Sequence, residues 1–253
     1  MKKFNFLYSL AAIALMWAVW LIAAAAVKNE FLIAPVGSSV RQFFKLFAEP
    51  FFWRSLGHTL ARTVAAYLIS FAAALGCACL AVAFKPFAAF MRPISAFFRT
   101  LPTMAVLLLL LVWLTPRTAP VAVALLVLFP MTYSQLSEAI AGVDGELLQM
   151  AKVYGLPVRR RIANIYIPHL APLALAQTGA NLSFGLKLII SAEVMASTRT
   201  ALGGMISEAQ AYINLPRIAA LTLVAVAFGI LIEFVFRAVA NKAFGWKRAV
   251  NID

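Results

Sequence analysis

The segment from Leu147 to Leu170 reads LLQMAKVYGLPVRRRIANIYIPHL and lies between two long apolar runs. It carries four cations, two prolines and a glycine, yet its apolar residues recur at helical spacing. The chain around it is far more apolar: 64% of its 253 residues are hydrophobic, 12% are charged, and its mean hydropathy is +0.91. A soluble domain is nearer half apolar and one quarter charged. We therefore predict a membrane protein in which this segment is a polar loop between two spans.

The apolar runs on either side of the segment have the length of membrane-spanning helices. A bilayer crossing needs about 20 mostly apolar residues, and backbone groups in lipid must pair within the chain, which favours helices. The runs are rich in Leu and Ala without strand-like alternation, which disfavours a β-barrel. We predict one all-α domain over 1–253, a polytopic membrane protein with about six transmembrane helices and its core at about 58–238. The expected spans are about 7–27, 58–84, 99–114, 119–138, 169–196 and 217–238.

The net charge of +13 could suggest nucleic-acid binding, but the basic residues are scattered at the ends of apolar runs. Such placement is typical of cytoplasmic flanks of membrane helices. With the N-terminus in the cytosol, most cations fall on the cytosolic side, so both termini and the loop at about 140–168 are expected there. The first apolar run is longer than the roughly 7–15 residues of a signal-peptide core and is predicted to be a retained span.

The cytosolic loop is predicted to hold two short helices. Asp144 can cap the first one, and Glu146 suits its first turn. Gly155, followed two residues later by a proline, is a helix-stop signal. The second helix is expected from Val158 to Ile167, where Pro168 breaks it and begins the next span.

Both short helices have an apolar face, and three interpretations remain open. The faces can rest on the membrane surface, pack against the helix ends of the same chain, or dock in a groove of a separate soluble protein. The apolar face of the first helix consists of four residues at three-to-four spacing: Leu147, Met150, Ala151 and Tyr154.

The spacing of the loop resembles the cytoplasmic coupling loop of ABC importer permeases, a motif written E-A-A, three residues, G, nine residues, I, any residue, L, P. Ala151, Gly155, Ile165 and Pro168 match it without a gap. The departures are Gln149 and Met150 at the first two positions and Ile167 at the leucine. The wider chain is similar to the branch that imports nitrate, sulfonates, taurine and thiamine precursors. The stretches that carry this likeness are FPMTYSQL, VDGELLQMAK, Glu193 in SAEVMAS, ALGGMISEAQ (where GLG is usual) and Trp246 in FGWKR.

This resemblance implies a type I importer permease in a bacterial inner membrane. The implied partners are a cytosolic ATPase, a periplasmic or lipid-anchored binding protein and a second, identical permease subunit. The chain has no P-loop pattern, so ATP is expected on the partner ATPase, and no catalytic, cofactor or metal site is expected here. The implied solute is small and anionic or organic, such as a sulfonate, taurine, nitrate or a thiamine precursor. An ion-gradient-driven secondary transporter or channel is the alternative class.

The resemblance also implies which residues contact the ATPase. Ala151 and Gly155 are small and are expected to let its surface approach the backbone. Tyr154 is expected either to anchor in that surface or to pack on its own chain. Arg159 and Arg160 either meet acidic ATPase residues or only mark the cytosolic side. The coupling-loop candidates are Glu146, Gln149, Met150, Ala151, Tyr154, Gly155, Arg159, Arg160, Ile165 and Pro168.

Polar residues within the fifth span are candidates for the solute path, because ionisable groups are costly in lipid. Lys187 and Glu193 are six residues apart and do not share a helix face. Either they line the path, where Lys187 would suit an anionic solute, or Lys187 joins an interhelical pair and Glu193 forms a periplasmic gate. Asn181 and Ser183 either face the path or bridge helices by hydrogen bonds.

Overall fold

The chain is helical throughout the computed structural model, which describes residues 2–27 and 32–244. The predicted all-α fold is thus confirmed, while Trp246 lies outside the described residues. The elements in chain order are α1 Lys2–Val27, α2 Val36–Leu46, α3 Pro50–Ala83, α4 Lys85–Thr100, α5 Thr103–Trp113, α6 Ala119–Ala141, α7 Gly145–Val153, α8 Val158–Arg161, a π-helical turn Ile162–Tyr166, α9 Ile167–Met195, α10 Leu202–Ala211 and α11 Leu215–Ala243.

Four helices of the described ranges are long and apolar enough to cross a membrane: α3, α6, the run from α8 through α9, and α11. The pair α4–α5 becomes a fifth crossing if its two parts, bent by 94°, are taken as one span. In α1 the apolar helical stretch is shorter, Ala14–Val27. The prediction of about six spans had counted α1 as a full span and the segment 99–114, which corresponds to α5, as a span by itself.

The centre of the fold is a bundle of α3, α6, α9 and α11, in which α3 packs chiefly on α6 and α9 on α11. Small residues let α3 approach α6 closely. Ser70 and Ala74, four residues apart, are buried on this face, whereas Ala72 and Gly76, with the same spacing, are exposed. An apolar cluster around Phe52, Leu186 and Leu221 joins α2 and α3 to α9, α10 and α11.

The helix α3 begins at Pro50, eight residues before the predicted start of its span. Glu49 is extended and Pro50 occupies the first turn, where its missing N–H is not needed. Glu49 also accepts two hydrogen bonds from the Arg217 guanidinium, at 2.9 and 2.7 Å, which ties the start of α3 to that of α11. The polar residues at the predicted start of the span lie well inside the helix, where Thr59 and Arg62 both bond to the buried Glu193.

The structure differs from the expected spans in two further places. The predicted third span, about 99–114, does not begin at Arg99: α4 continues to Thr100, Pro102 forces Leu101 into an extended conformation, and the chain turns by 94° before α5 begins at Thr103. The polar stretch containing Gly203 and Gly204 is the helix α10, which buries Leu202, Met205 and Ala209 at helical spacing.

The predicted break at Pro168 is also wrong, because α8, the π-helical turn and α9 form one helical run from Val158 to Met195. A proline ring would clash with the carbonyl four residues earlier in a regular α-helix. Here the backbone N–H of Ile167 bonds instead to the Ile162 carbonyl, five residues back. The wider π turn therefore accommodates Pro168 without ending the helix.

Candidate coupling helix and solute path

The helix α7 is closed at both ends by local interactions that the sequence predicts. The Asp144 carboxylate accepts a hydrogen bond from the Glu146 backbone N–H at 2.8 Å. At the other end Gly155 has φ +63°, its N–H bonds to the Lys152 carbonyl and the Leu156 N–H bonds to the Ala151 carbonyl, at 3.0 and 2.9 Å. This is a Schellman motif, in which glycine is favoured because the left-handed conformation strains other residues.

Some apolar residues of α7 are buried against the rest of the chain, and the others are exposed on the surface of the helix. Ala151 is 0% exposed, so its side chain packs against the chain itself and supports α7 from within. Tyr154 is 78% exposed, so it does not pack on its own chain. We call the outward residues the exposed arc of α7: Leu147, Met150, Val153 and Tyr154.

The turn after α7 is held to the following helix. The Arg161 side chain donates from Nε to the Leu156 carbonyl at 3.0 Å. Arg159 and Arg160 are exposed, as are Glu146 and Gln149, while Ile165 and Pro168 are half-buried. The coupling-loop candidates thus lie on one continuous structure, and Arg161 joins its two halves.

At the opposite end of the bundle, Glu193 is fully buried and holds three elements together. Its carboxylate accepts hydrogen bonds from Thr59 Oγ1 at 2.8 and 3.1 Å, from Arg62 Nη1 at 2.7 Å and from the Gly203 backbone N–H at 3.2 Å. Thr59 Oγ1 also accepts from the Leu202 backbone N–H at 2.9 Å. We call this group the Glu193 network. It joins α3, α9 and the start of α10.

This network requires glycine at position 203, because the start of α10 lies very close to α9 there. A Cβ at this position would overlap the Glu193 side chain and the Ile190 carbonyl. Sequence reasoning singled out Glu193 but missed its partners. The signal was present, since Arg62 is a cation within a span and needs an anion at matching depth.

The other two polar path candidates lie between helices. Asn181 is buried and exchanges hydrogen bonds with Gln135 of α6, donating at 2.7 Å and accepting at 3.3 Å. Ser183 is buried where α9 meets α11, with its Oγ against Gly229. Asn181 therefore links α9 to α6 by hydrogen bonds, whereas Ser183 packs against α11.

Lys187 is exposed and belongs to a stripe that runs the length of α9. The stripe residues recur every three to four positions and so share one face. We call this the α9 stripe: Leu173, Ala176, Ala180, Phe184, Lys187, Ser191 and Met195. Four of its seven residues, Ala176, Ala180, Lys187 and Ser191, are small or polar, and such residues are enriched where membrane helices meet other protein.

Comparison with known families decides the class of the protein. The model of the family described as "Binding-protein-dependent transport system inner membrane component" matches residues 67–244, from within α3 to the end of α11. The chain belongs to this family. It is thus an ABC importer permease, a multi-pass inner-membrane subunit, and in such importers the ATPase is a separate subunit.

Solved structures of ABC transporters show the same fold. The inward-facing MetNI methionine transporter has a TM-score of 0.62 and 16% identity over 77% of this permease and 98% of that chain. An amino acid transporter with histidines has a TM-score of 0.62 and 19% identity, over 77% and 93%. A bacterial importer of the acidic polysaccharide alginate has a TM-score of 0.67 and 14% identity, over 95% and 96%. A search of curated proteins found no match.

Proposed function

We propose that this permease is driven by a separate ATPase that binds α7. The observation that carries the proposal is the exposed arc, whose apolar side chains point away from the chain on a helix that lies outside the apolar spans. A short capped helix of this kind fits a groove on a partner protein. Aromatic side chains often dominate such interfaces, and Tyr154 is placed to act as the anchor.

The connection from α7 to the membrane is suited to transmit motion. The Schellman turn and the Arg161 hydrogen bond join α7 to the helical run Val158–Met195. This run is about 57 Å long at 1.5 Å per residue, against a bilayer core of about 30 Å. Its first turns therefore project from the membrane, and ATP-driven movement of α7 would move α9 as a rigid body. ATP must favour one permease state for the transport cycle to turn.

A second, identical permease subunit is proposed to face the α9 stripe. A lone lysine facing lipid is costly, and such residues are usually turned toward a bundle interior or water. Lys187 is exposed on a single copy, so a second copy across an aqueous path would supply its surroundings. The path then runs between the two subunits, with Lys187 on its wall.

The outer partner is proposed to be a periplasmic or lipid-anchored binding protein. The alginate transporter was solved in complex with a pentasaccharide-bound periplasmic protein, and the family is named for such dependence. That dependence favours an ATP-driven importer over an ion-gradient-driven transporter or channel. We propose a small anionic or organic solute, such as a sulfonate, taurine, nitrate or a thiamine precursor, on the resemblance of the sequence to that branch.

The test of ATPase docking is to place charge on the exposed arc. The double substitution Met150→Glu and Tyr154→Glu should abolish co-purification with the ATPase, because carboxylates would be buried in an apolar groove. Lys152→Ala is the matched control, since it changes an exposed residue on the other side of the same helix. Both variants should elute as folded permease in detergent. Wild-type ATPase recovery with the double variant would refute docking through α7.

A further inference from the structure

Two neighbouring cavities lie along α6. The first, of about 530 Å³, is bounded by the end of α3, by α4 and by the end of α6. The second, of about 400 Å³, is bounded by the α4–α5 corner, α6 and Phe184 of the α9 stripe. Both are lined by Arg99, Ser134 and Glu138, so they meet there. Each volume falls within the range of small-molecule sites.

The walls of the first cavity are two polar helix faces. On α4, Arg92, Ser95, Ala96 and Arg99 recur at three-to-four spacing, so the two guanidinium groups flank the serine and the alanine on one face. On α6, the lining residues follow the same spacing: Ser134, Ser137, Glu138 and Ala141. The cavity is therefore a cleft between two parallel stripes of polar side chains.

Several polar groups in this cleft lack partners within the chain. Ser95 is 5% exposed, and its Oγ is buried without a hydrogen bond, as is Oγ of Ser137. A buried hydroxyl without a partner is destabilising. Within the described residues neither Arg92 nor Arg99 forms an ion pair, and Arg99 makes a long 3.5 Å contact to the Pro130 carbonyl. Both Oγ atoms are inaccessible to solvent, so the groups available to a ligand in this cleft are the exposed guanidinium groups of Arg92 and Arg99.

We propose that this cleft binds the oxyanion group of a small solute, a sulfonate or carboxylate, between Arg92 and Arg99. The proposal rests on the proposed function, since it assigns the chemical class of the transported solute. Guanidinium groups present paired donors that match oxyanions. Glu138 offsets one of the two positive charges, which suits a monoanion that must also leave the site.

The site can be tested on the purified permease alone. In a Cys77→Ala, Cys79→Ala background, an Ala96→Cys substitution places a thiol between the two arginines. N-ethylmaleimide, which is uncharged, labels that thiol at a measurable rate. Methanesulfonate should slow the labelling, whereas dimethyl sulfone, a neutral molecule of similar shape, should not.

The arginines should account for this protection. Arg99→Gln should raise the half-protecting methanesulfonate concentration by about tenfold or more, in line with the loss of a charge-assisted hydrogen bond. Lys242→Gln removes a cation from exposed α11 surface away from the cleft and should leave protection unchanged. The labelling rate without methanesulfonate should be the same in all three proteins, which shows that the cleft is intact.

Two results would overturn the site. One is equal protection by methanesulfonate and dimethyl sulfone, and the other is full anion protection in an Arg92→Gln, Arg99→Gln double variant. No ATPase takes part in the labelling, so a negative result here leaves docking through α7 untouched. Conversely, if the ATPase does not dock through α7, methanesulfonate should still slow the labelling of the thiol at position 96.

Discussion

Glu193 is a carboxylate at 0% exposure, and its surroundings explain how it is tolerated. Removing a charge from water costs several kcal/mol unless partners replace the solvent. The Glu193 network supplies a cation from Arg62, a hydroxyl from Thr59 and a backbone N–H from Gly203. Because those partners belong to different elements, this single side chain fixes the ends of α3, α9 and α10 that lie opposite α7 relative to one another.

Glu193→Ala should lower the free energy of unfolding by about 3–5 kcal/mol, because it leaves the partners of a buried ion pair unmatched. Glu233→Ala is the comparison, since the Glu233–Arg237 pair is exposed and such pairs contribute less than about 1 kcal/mol. Urea unfolding in mixed detergent micelles measures both. Replacing Arg62 and Glu193 together by methionine should recover part of the loss. Equal effects of the two single substitutions would contradict this account.

At the scale of single elements, the features that the sequence predicted correctly are local ones. Asp144 and Gly155 mark the ends of α7 because caps act within one turn of helix. The α3, α6, α9 and α11 spans are apparent because each carries a long apolar run. The helix α10 was not predicted, because it is short and contains two adjacent glycines. In a sequence such a pair suggests a turn, whereas in the structure both glycines allow close packing against neighbouring backbone.

Other elements depend on contacts that no local pattern contains. Pro168 is a helix breaker in isolation, yet the π turn before it lets the helix continue. Arg62 and Glu193 are 131 residues apart in sequence, so their pairing cannot be inferred from either span alone. Arg92 lies between the predicted spans and Arg99 at the start of one, so no local pattern places both on a single helix, α4, that packs against α6.

If α7 transmits motion from the ATPase to the following helix, the conformation of the Schellman turn at Gly155 should matter for coupling. Gly155 has φ +63° and open space around its Cα, so a substitution there acts through backbone strain and not through a clash. Gly155→Val should uncouple ATP hydrolysis from uptake in the assembled transporter, because a β-branched residue resists the left-handed conformation. Gly155→Asn should retain most coupling, since asparagine tolerates it.

The measurement is the number of ATP molecules hydrolysed per solute imported in proteoliposomes. Gly145→Val serves as the control, because Gly145 also has open space around it but no positive φ. If the valine and asparagine variants at Gly155 behave alike, the turn conformation is not what transmits the motion.

On the scale of the whole molecule, the two ends of the bundle differ in how firmly they are held. The end opposite α7 is fixed by the Glu193 network and by the Glu49–Arg217 pair. The end near α7 carries the cleft between α4 and α6, and α7 itself is joined to the bundle by one long helix. Force applied at α7 therefore meets a fixed opposite end, and we expect α9 to pivot there while the cleft changes its width.

This arrangement predicts where two copies of the permease meet. Ala180 lies on the α9 stripe, and Ala72 is an equally small exposed residue on α3. In the background without Cys77 and Cys79, Ala180→Cys should form a covalent dimer with a short bis-maleimide in native membranes, whereas Ala72→Cys should not, because α3 turns that face toward lipid. Denaturing electrophoresis separates the products.

Cross-linking at Ala72 in place of Ala180 would move the subunit contact to α3, and a lack of dimer at either position would oppose an identical second subunit. In that case Lys187 would need a different protein neighbour, since its charge at this depth still requires one.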